Sequence, residues 1–122
     1  VRSKAVTQGK IADILQARGQ LDEALRIRNE DQLPVYERLG DVRSLLVGRA
    51  NLAMTLLQRD KEGDRERAHK YLCLALEAAI GLQIPEAGQI VQVLLQHGMR
   101  CEFIPEEIWA EMADQLEGAG DR

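Results

Sequence analysis

Apolar positions recur at helical spacing along most of the chain. Val6, Ile11, Ala12, Ile14 and Leu15 form the first stripe and predict a helix over 3–18. Gly19 then stands where a left-handed C-cap is needed. A partner helix is expected from Leu21 to Gly40, opened by Asp22 and Glu23 near its positive end. The short link makes the two antiparallel neighbours, with Ala24 small where they cross. Pro34 interrupts this helix by removing a donor and crowding the carbonyl of Glu30. The pattern resumes with Val35, Tyr36 and Leu39, so one kinked helix is expected.

The next stripe, Leu45, Leu46, Leu52, Ala53, Leu56 and Leu57, predicts a helix over 42–58. After a longer turn, 65–82 reads as its partner, with Ala68, Tyr71, Leu72, Ala75, Leu76 and Ala79 inward. Pro85 suits the first turn of a fifth helix ending near Gly98, strongly apolar through Ile90, Val91, Val93, Leu94 and Leu95. Pro105-Glu106-Glu107 opens a last helix, about 104–118. Ile104, Ile108, Met112 and Leu116 recur there every four residues, with Trp109 alongside, and the tail Gly118–Arg122 is expected to fray.

The stripes repeat. Shifting the chain by 41 residues aligns Val1-Arg2-Ser3 with Val42-Arg43-Ser44, Val6 with Val47, Ala12 with Ala53, Leu15 with Leu56 and Arg18 with Arg59. A shift of 79 aligns Gly9, Ile11, Leu15 and Gly19 with Gly88, Ile90, Leu94 and Gly98. Self-similarity at such a period marks stacked helical pairs, none of which buries its stripe alone. The units are read as about 1–41, 42–82, a partial 83–99 and a terminal capping helix. Residue 1 is Val and the repeat starts abruptly, so the chain is expected to be a piece of a longer array.

Composition supports this reading. The 122 residues suit one domain, 45% of them hydrophobic but only 3% aromatic, which fits close-packed helices. A net charge of −4 argues against a general nucleic-acid binder. Seven acids against Arg122 follow Cys101, a net of −6 that leaves +2 on the first 100 residues. An acidic outer face with an apolar inner one is what a terminal cap requires. No apolar run of about 18 residues exists to cross a membrane. Cys73, on an apolar stripe, reads as a small core residue, so Cys73 and Cys101 are expected as free thiols. With no secretory pattern ahead of the first helix, a cytoplasmic setting is expected.

Ile11-Ala12, Leu15, Gly19, Leu21 and Ala24 resemble the tetratricopeptide repeat, in its longer-period bacterial form. The match recurs as Leu52-Ala53, Leu56 and Ala68, and partly as Ile90-Val91, Leu94 and Gly98, covering about residues 1–98. It departs at Arg28, where the family usually has an aromatic, and at Asp31, where it usually has a small residue. The resemblance implies an all-α fold, an α-α superhelix. That is a right-handed solenoid of antiparallel helix pairs, here about six helices with the C-terminal cap. It also implies an interaction scaffold whose first helices line a concave groove.

With Ile11, Ala12 and Leu15 in the stack, a helical wheel turns Lys10, Asp13 and Gln16 toward that groove. Their equivalents are Asn51, Met54 and Gln58, then Gln89, Gln92 and Gln96. Amides there can hydrogen-bond an extended peptide, and Met54 adds an adaptable apolar contact. One family subset grips a C-terminal carboxylate with Lys, Arg and Asn. Asn51 fits, but Gly9, Asp13, Val47, Pro85 and Gln89 do not, and Asp13 would repel a carboxylate.

Catalysis finds little support, and no cofactor or metal is expected. His69 and His97 stand alone, with His97 a cation at a helix end. Glu62, Asp64 and Glu66 are neutralised by Lys61, Arg65 and Arg67 and read as a solvated turn. Glu106, Glu107 and Glu111 read as an exposed acidic face, and no phosphate-cradling loop appears. The expected function is therefore a module binding a peptide or partner helix within a larger regulatory protein. Self-association through an exposed array end, including Val6 and Ile14, is the alternative, and an all-helical enzyme fragment a distant third.

Overall fold

Helices begin and end where glycines and short polar side chains permit it. The computed structural model describes residues 2–120, with side chains to 115, and no strand forms among them. The elements are α1 (Arg2–Ala17), α2 (Leu21–Arg26), a π-helical turn (Ile27–Gln32), α3 (Leu33–Leu39), α4 (Val42–Arg59), α5 (Asp64–Leu82), α6 (Glu86–Gln96) and α7 (Glu106–Gly120). Gly19 follows α1 at φ 78° and Gly40 caps α3 at φ 64°, a region that costs glycine least. The Asp41 carboxylate caps α4 by accepting from the Ser44 amide at 3.2 Å.

From Leu21 to Leu39 the helix is unbroken but changes its winding. A proline cannot donate, and in a regular α-helix its ring would press on the carbonyl four residues back. The wider π-helical turn that ends at Gln32 lies immediately ahead of Leu33-Pro34 and relieves that conflict. The kinked continuous helix is thus observed, with the distortion placed before the proline.

α1 packs on this bent helix, which packs in turn on α4. The α4–α5 pair shares the most extensive interface, and α6 packs on α5. At two close contacts a Cβ would displace a neighbouring side chain. One at Gly9 would press on Gln32 Nε2, and one at Gly48 would lie 2.8 Å from a Leu33 methyl. The main core joins Leu46, Leu52, Ala53 and Leu56 of α4 to Leu72, Ala75 and Leu76 of α5, Ile90 and Leu94 of α6, and Trp109 of α7. Ala12, Ala24 and Ile27 form a separate small cluster, with Leu15 against it.

Several expectations need correction. Ile11 does not enter the stack: it is 42% exposed, whereas its repeat equivalents Leu52 and Ile90 are 0% and 4% exposed. α1 has the bent helix on one side and nothing described on the other, so Val6, Ile11 and Ile14 all face outward. Near the C-terminus Trp109 is buried and Ile104 and Met112 pack against the core as expected, but Ile108 is exposed. Helix continues through Gly120 where fraying was expected from Gly118; Asp121, Arg122 and the Leu116 side chain lie outside what is described. Glu102, Glu106, Glu107, Glu111 and Asp114 are exposed, as an acidic outer face requires.

The cysteines are not free. α5 and the turn after α6 bring Cys73 and Cys101 to a Cα separation of 5.6 Å, and they form a disulfide. Their 28-residue separation carries no signal of that proximity, which only the fold of α6 back along α5 creates. Trp109 Nε1 donates to the Cys101 carbonyl at 3.4 Å, so the bridge and the buried indole anchor the same turn.

Candidate functional site

α4 exposes a face of mixed chemistry between its buried stripe and solvent. Asn51 and Met54 lie on it, and both line two separate depressions. The first is bounded by α1 and α4: Asp13, Gln16 and Ala17 face Asn51, Met54 and Gln58, with Arg28 of the π-helical turn between them. It encloses about 370 Å³. The second, about 190 Å³, runs between α4 and α6 and is mostly apolar. Leu46, Val47 and Ala50 form one wall, Ile90 and Val93 the other, and Leu72 of α5 contributes from between them. Arg43 reaches from α4 to Glu86 of α6 at 2.8 Å and closes one end with an ion pair. Asn51 also lines a third hollow, with Gln32 and Tyr36.

The first depression is organised by a side chain the helical wheel did not select. Arg28 is 1% exposed. Its Nη2 donates to Asp13 Oδ1 at 2.7 Å and to Gln16 Oε1 at 2.9 Å, and its Nε to Thr55 Oγ1 at 3.2 Å. Thr55 Oγ1 lies 2.8 Å from both Gln16 Oε1 and the Asn51 carbonyl, and Gln16 Nε2 donates to Gln58 Oε1 at 3.0 Å. A buried cation thus ties α1 to α4 through groups that also face the groove. Nη1 of Arg28 is buried and without a partner. Two signals in the sequence pointed here: the departure from an aromatic at Arg28, and Thr55 standing where the first repeat has Ile14.

Of the nine groove candidates, Asp13, Gln16, Asn51, Met54 and Gln58 meet in the first depression, and Gln89 joins Asn51 and Met54 in the second. Lys10, Gln92 and Gln96 are exposed and line neither. Lys10 lies one turn before Asp13, past the end of the hollow. Gln92 is turned about 100° around α6 from Val93. Gln96 continues the Gln89–Val93 row beyond the last residue that lines the cleft.

The acidic turn before α5 also departs from expectation. Asp64 is buried and gripped by Arg59, Nε at 2.8 Å and Nη2 at 2.7 Å, and accepts from the Lys61 amide at 3.0 Å. Those Arg59 hydrogen bonds hold its carboxyl at about 2. Arg59 also donates to Asp22 at 3.0 Å, the largest cause of that carboxyl's lowered pKa. One arginine therefore joins the starts of α2 and α5 to the end of α4. Of the histidines, His69 has a structural partner, its Nε2 bonding the Arg100 carbonyl; at His97 it is the backbone carbonyl that accepts from Arg65.

Among the described residues no three His, Cys, Asp or Glu converge as metal ligands would, and no helix is long and apolar enough to cross a membrane. What the arrangement offers chemically is hydrogen bonding and apolar contact along one face. Compared with protein-family models, curated proteins and solved structures, the chain matches none of them.

Proposed function

We propose that this chain is a protein-interaction domain, a solenoid of antiparallel helix pairs akin to the tetratricopeptide repeat. It would bind an extended peptide or partner helix laid across α1, α4 and α6 and serve as the adaptor part of a larger protein. The observation that carries this reading is the placement of Asn51 and Met54. Both border the polar hollow against α1 and the apolar cleft against α6, so one ligand can engage both at once. Amides at Gln16, Gln58 and Gln89 supply donors and acceptors for a peptide backbone. Catalysis plays no part in this reading.

The test is binding to an array of random dodecapeptides. Met54→Arg, which sets a long charged side chain at the border of the two depressions, should abolish binding without lowering the melting temperature. Glu77→Arg, on an exposed part of α5, should leave binding unchanged. Equal loss in both variants, or binding that survives Met54→Arg, would refute the groove.

A second reading is favoured by the exposed Val6, Ile11 and Ile14 on α1. Such a face can pair with another copy. Sedimentation across a dilution series decides this: dimers that vanish in an Ile11→Asp, Ile14→Asp variant support it, and a monomer at every concentration removes it.

A further inference from the structure

We infer that the Cys73–Cys101 disulfide is a reversible redox site, open to a dithiol reductant, and that its opening releases α7 from the core. The inference stands apart from the groove reading. Arg65, His69 and Cys73 follow one another at four-residue intervals and so share one face of α5. All three hold the same turn. Arg65 donates to the His97 carbonyl, His69 Nε2 bonds the Arg100 carbonyl, and Cys73 is bridged to Cys101. That turn carries α7 with it. Arg100 pairs with Glu106, the first residue of α7, and Trp109 Nε1 donates to the Cys101 carbonyl.

Little else fastens α7. Among the described residues it shares no broad interface with another helix, and its seat in the main core is Trp109, with Ile104 and Met112 half-buried beside it. While the bridge is closed, Trp109 stays a short stretch of chain from a fixed point, so leaving its seat gains little freedom. Once the bridge opens, the turn keeps two solvent-exposed hydrogen bonds to α5 and the apolar contact of Met99. Exposed hydrogen bonds of that kind contribute little. The α4–α5 pair, with the most extensive interface, keeps its own packing, so the release is local.

The two sulfurs differ in access. Cys73 is half-buried, whereas Cys101 is 2% exposed. A thiolate of the reductant therefore attacks Cys73 Sγ. The S–S bond breaks, Cys101 leaves as a thiolate and takes up a proton, and a mixed disulfide joins the reductant to Cys73. The reductant's second thiol, as its thiolate, then displaces Cys73, which is protonated in turn. Two electrons and two protons have passed to the chain, and the reductant has closed its own disulfide.

Trp109 is the chain's only tryptophan, so its fluorescence reports on α7 directly. The full chain is compared with and without dithiothreitol, and again after reoxidation by oxidised glutathione. Reduction should move the emission to the red and raise its quenching by iodide, with little loss of helical circular dichroism. A glutamate-specific protease should cut at Glu106, Glu107 or Glu111 at least about ten-fold faster, while Glu66 and Glu77 of α5 stay protected. Reoxidation should reverse these changes. The double variant Cys73→Ala, Cys101→Ala should behave as the reduced chain with or without dithiothreitol. Unchanged emission and cleavage after reduction overturn the proposal, because α7 then keeps its seat without the bridge. A general loss of helicity also overturns it, since the bridge would then staple the whole fold. So does a bridge that dithiothreitol opens only in urea. Should the double variant fail to fold, the unsubstituted chain with and without dithiothreitol decides.

Discussion

α1 and α4 carry the same pattern of residues and meet different fates. Ala12 and its equivalent Ala53 are both fully buried, each at a close crossing with a partner helix. One position earlier the likeness ends, with Ile11 exposed and Leu52 buried. Val6 and Val47 are both exposed, but Val47 lines the cleft shared with α6, while Val6 faces away from both depressions flanking α4. The difference lies in neighbours. α4 is packed between the bent helix on one side and α5 on the other; α1 packs on the bent helix and reaches α4 through polar side chains such as Gln16, bonded to Thr55 and Gln58. A helical stripe specifies a face suited to burial, and a second surface must arrive before the burial happens.

The comparison can be broken most directly by truncation. Leu52→Ala should cost about 2–5 kcal/mol in urea denaturation, because it opens a cavity in the main core. Ile11→Ala should cost less, about 1 kcal/mol, since 42% of the residue stays in water and no closed cavity is opened. Equal losses would mean α1 is covered by something these contacts omit. Overpacking sharpens the point where the two helices agree. Ala12→Leu and Ala53→Leu should each destabilise by about 1–3 kcal/mol, alike despite the difference at the neighbouring position.

The smallest expected effect concerns the arginines at the ends of the two helices. Arg18 is exposed, whereas Arg59 grips Asp64. The Asp64 carboxyl is held at about 2, below its unfolded value near 4, so its contribution is complete above that unfolded value. It is lost as pH falls through the folded value, with about 1 kcal/mol gone by pH 3. Acid titration of the melting temperature should therefore be flatter in Asp64→Asn over pH 4 to 2. A slope unchanged by that substitution would assign the acid sensitivity to other carboxylates.

The legible parts of the molecule are local ones. Gly19 adopts the left-handed geometry its position implied, whereas the left-handed turn at Gly40 and the cap at Asp41 emerge only in the structure. Pro34 announced a distortion, because a missing donor is visible in one residue. That the distortion takes the form of a π-helical turn was not, because it is a choice among hydrogen-bond registers five residues long. In the groove, the wheel reached Asp13, Gln16, Asn51, Met54, Gln58 and Gln89 by angle alone. It misplaced Lys10, Gln92 and Gln96, since where a hollow ends depends on the facing helix. It passed over Arg28 and Thr55 because buried positions on a stripe are read as apolar, and their polarity is tolerated only through bonds to each other and to α1.

The amino-acid order alone decided which segments wind into helices, where each one stops, and which face of each is oily. Those properties arise within a few residues, from backbone sterics and the spacing of side chains. Which oily faces are covered, that Cys73 meets Cys101, and that Arg28 is drawn under Asp13 and Gln16 were decided by tertiary packing. Burial, bridging and charge pairing each need two surfaces in register, and one strand of sequence describes only one surface at a time.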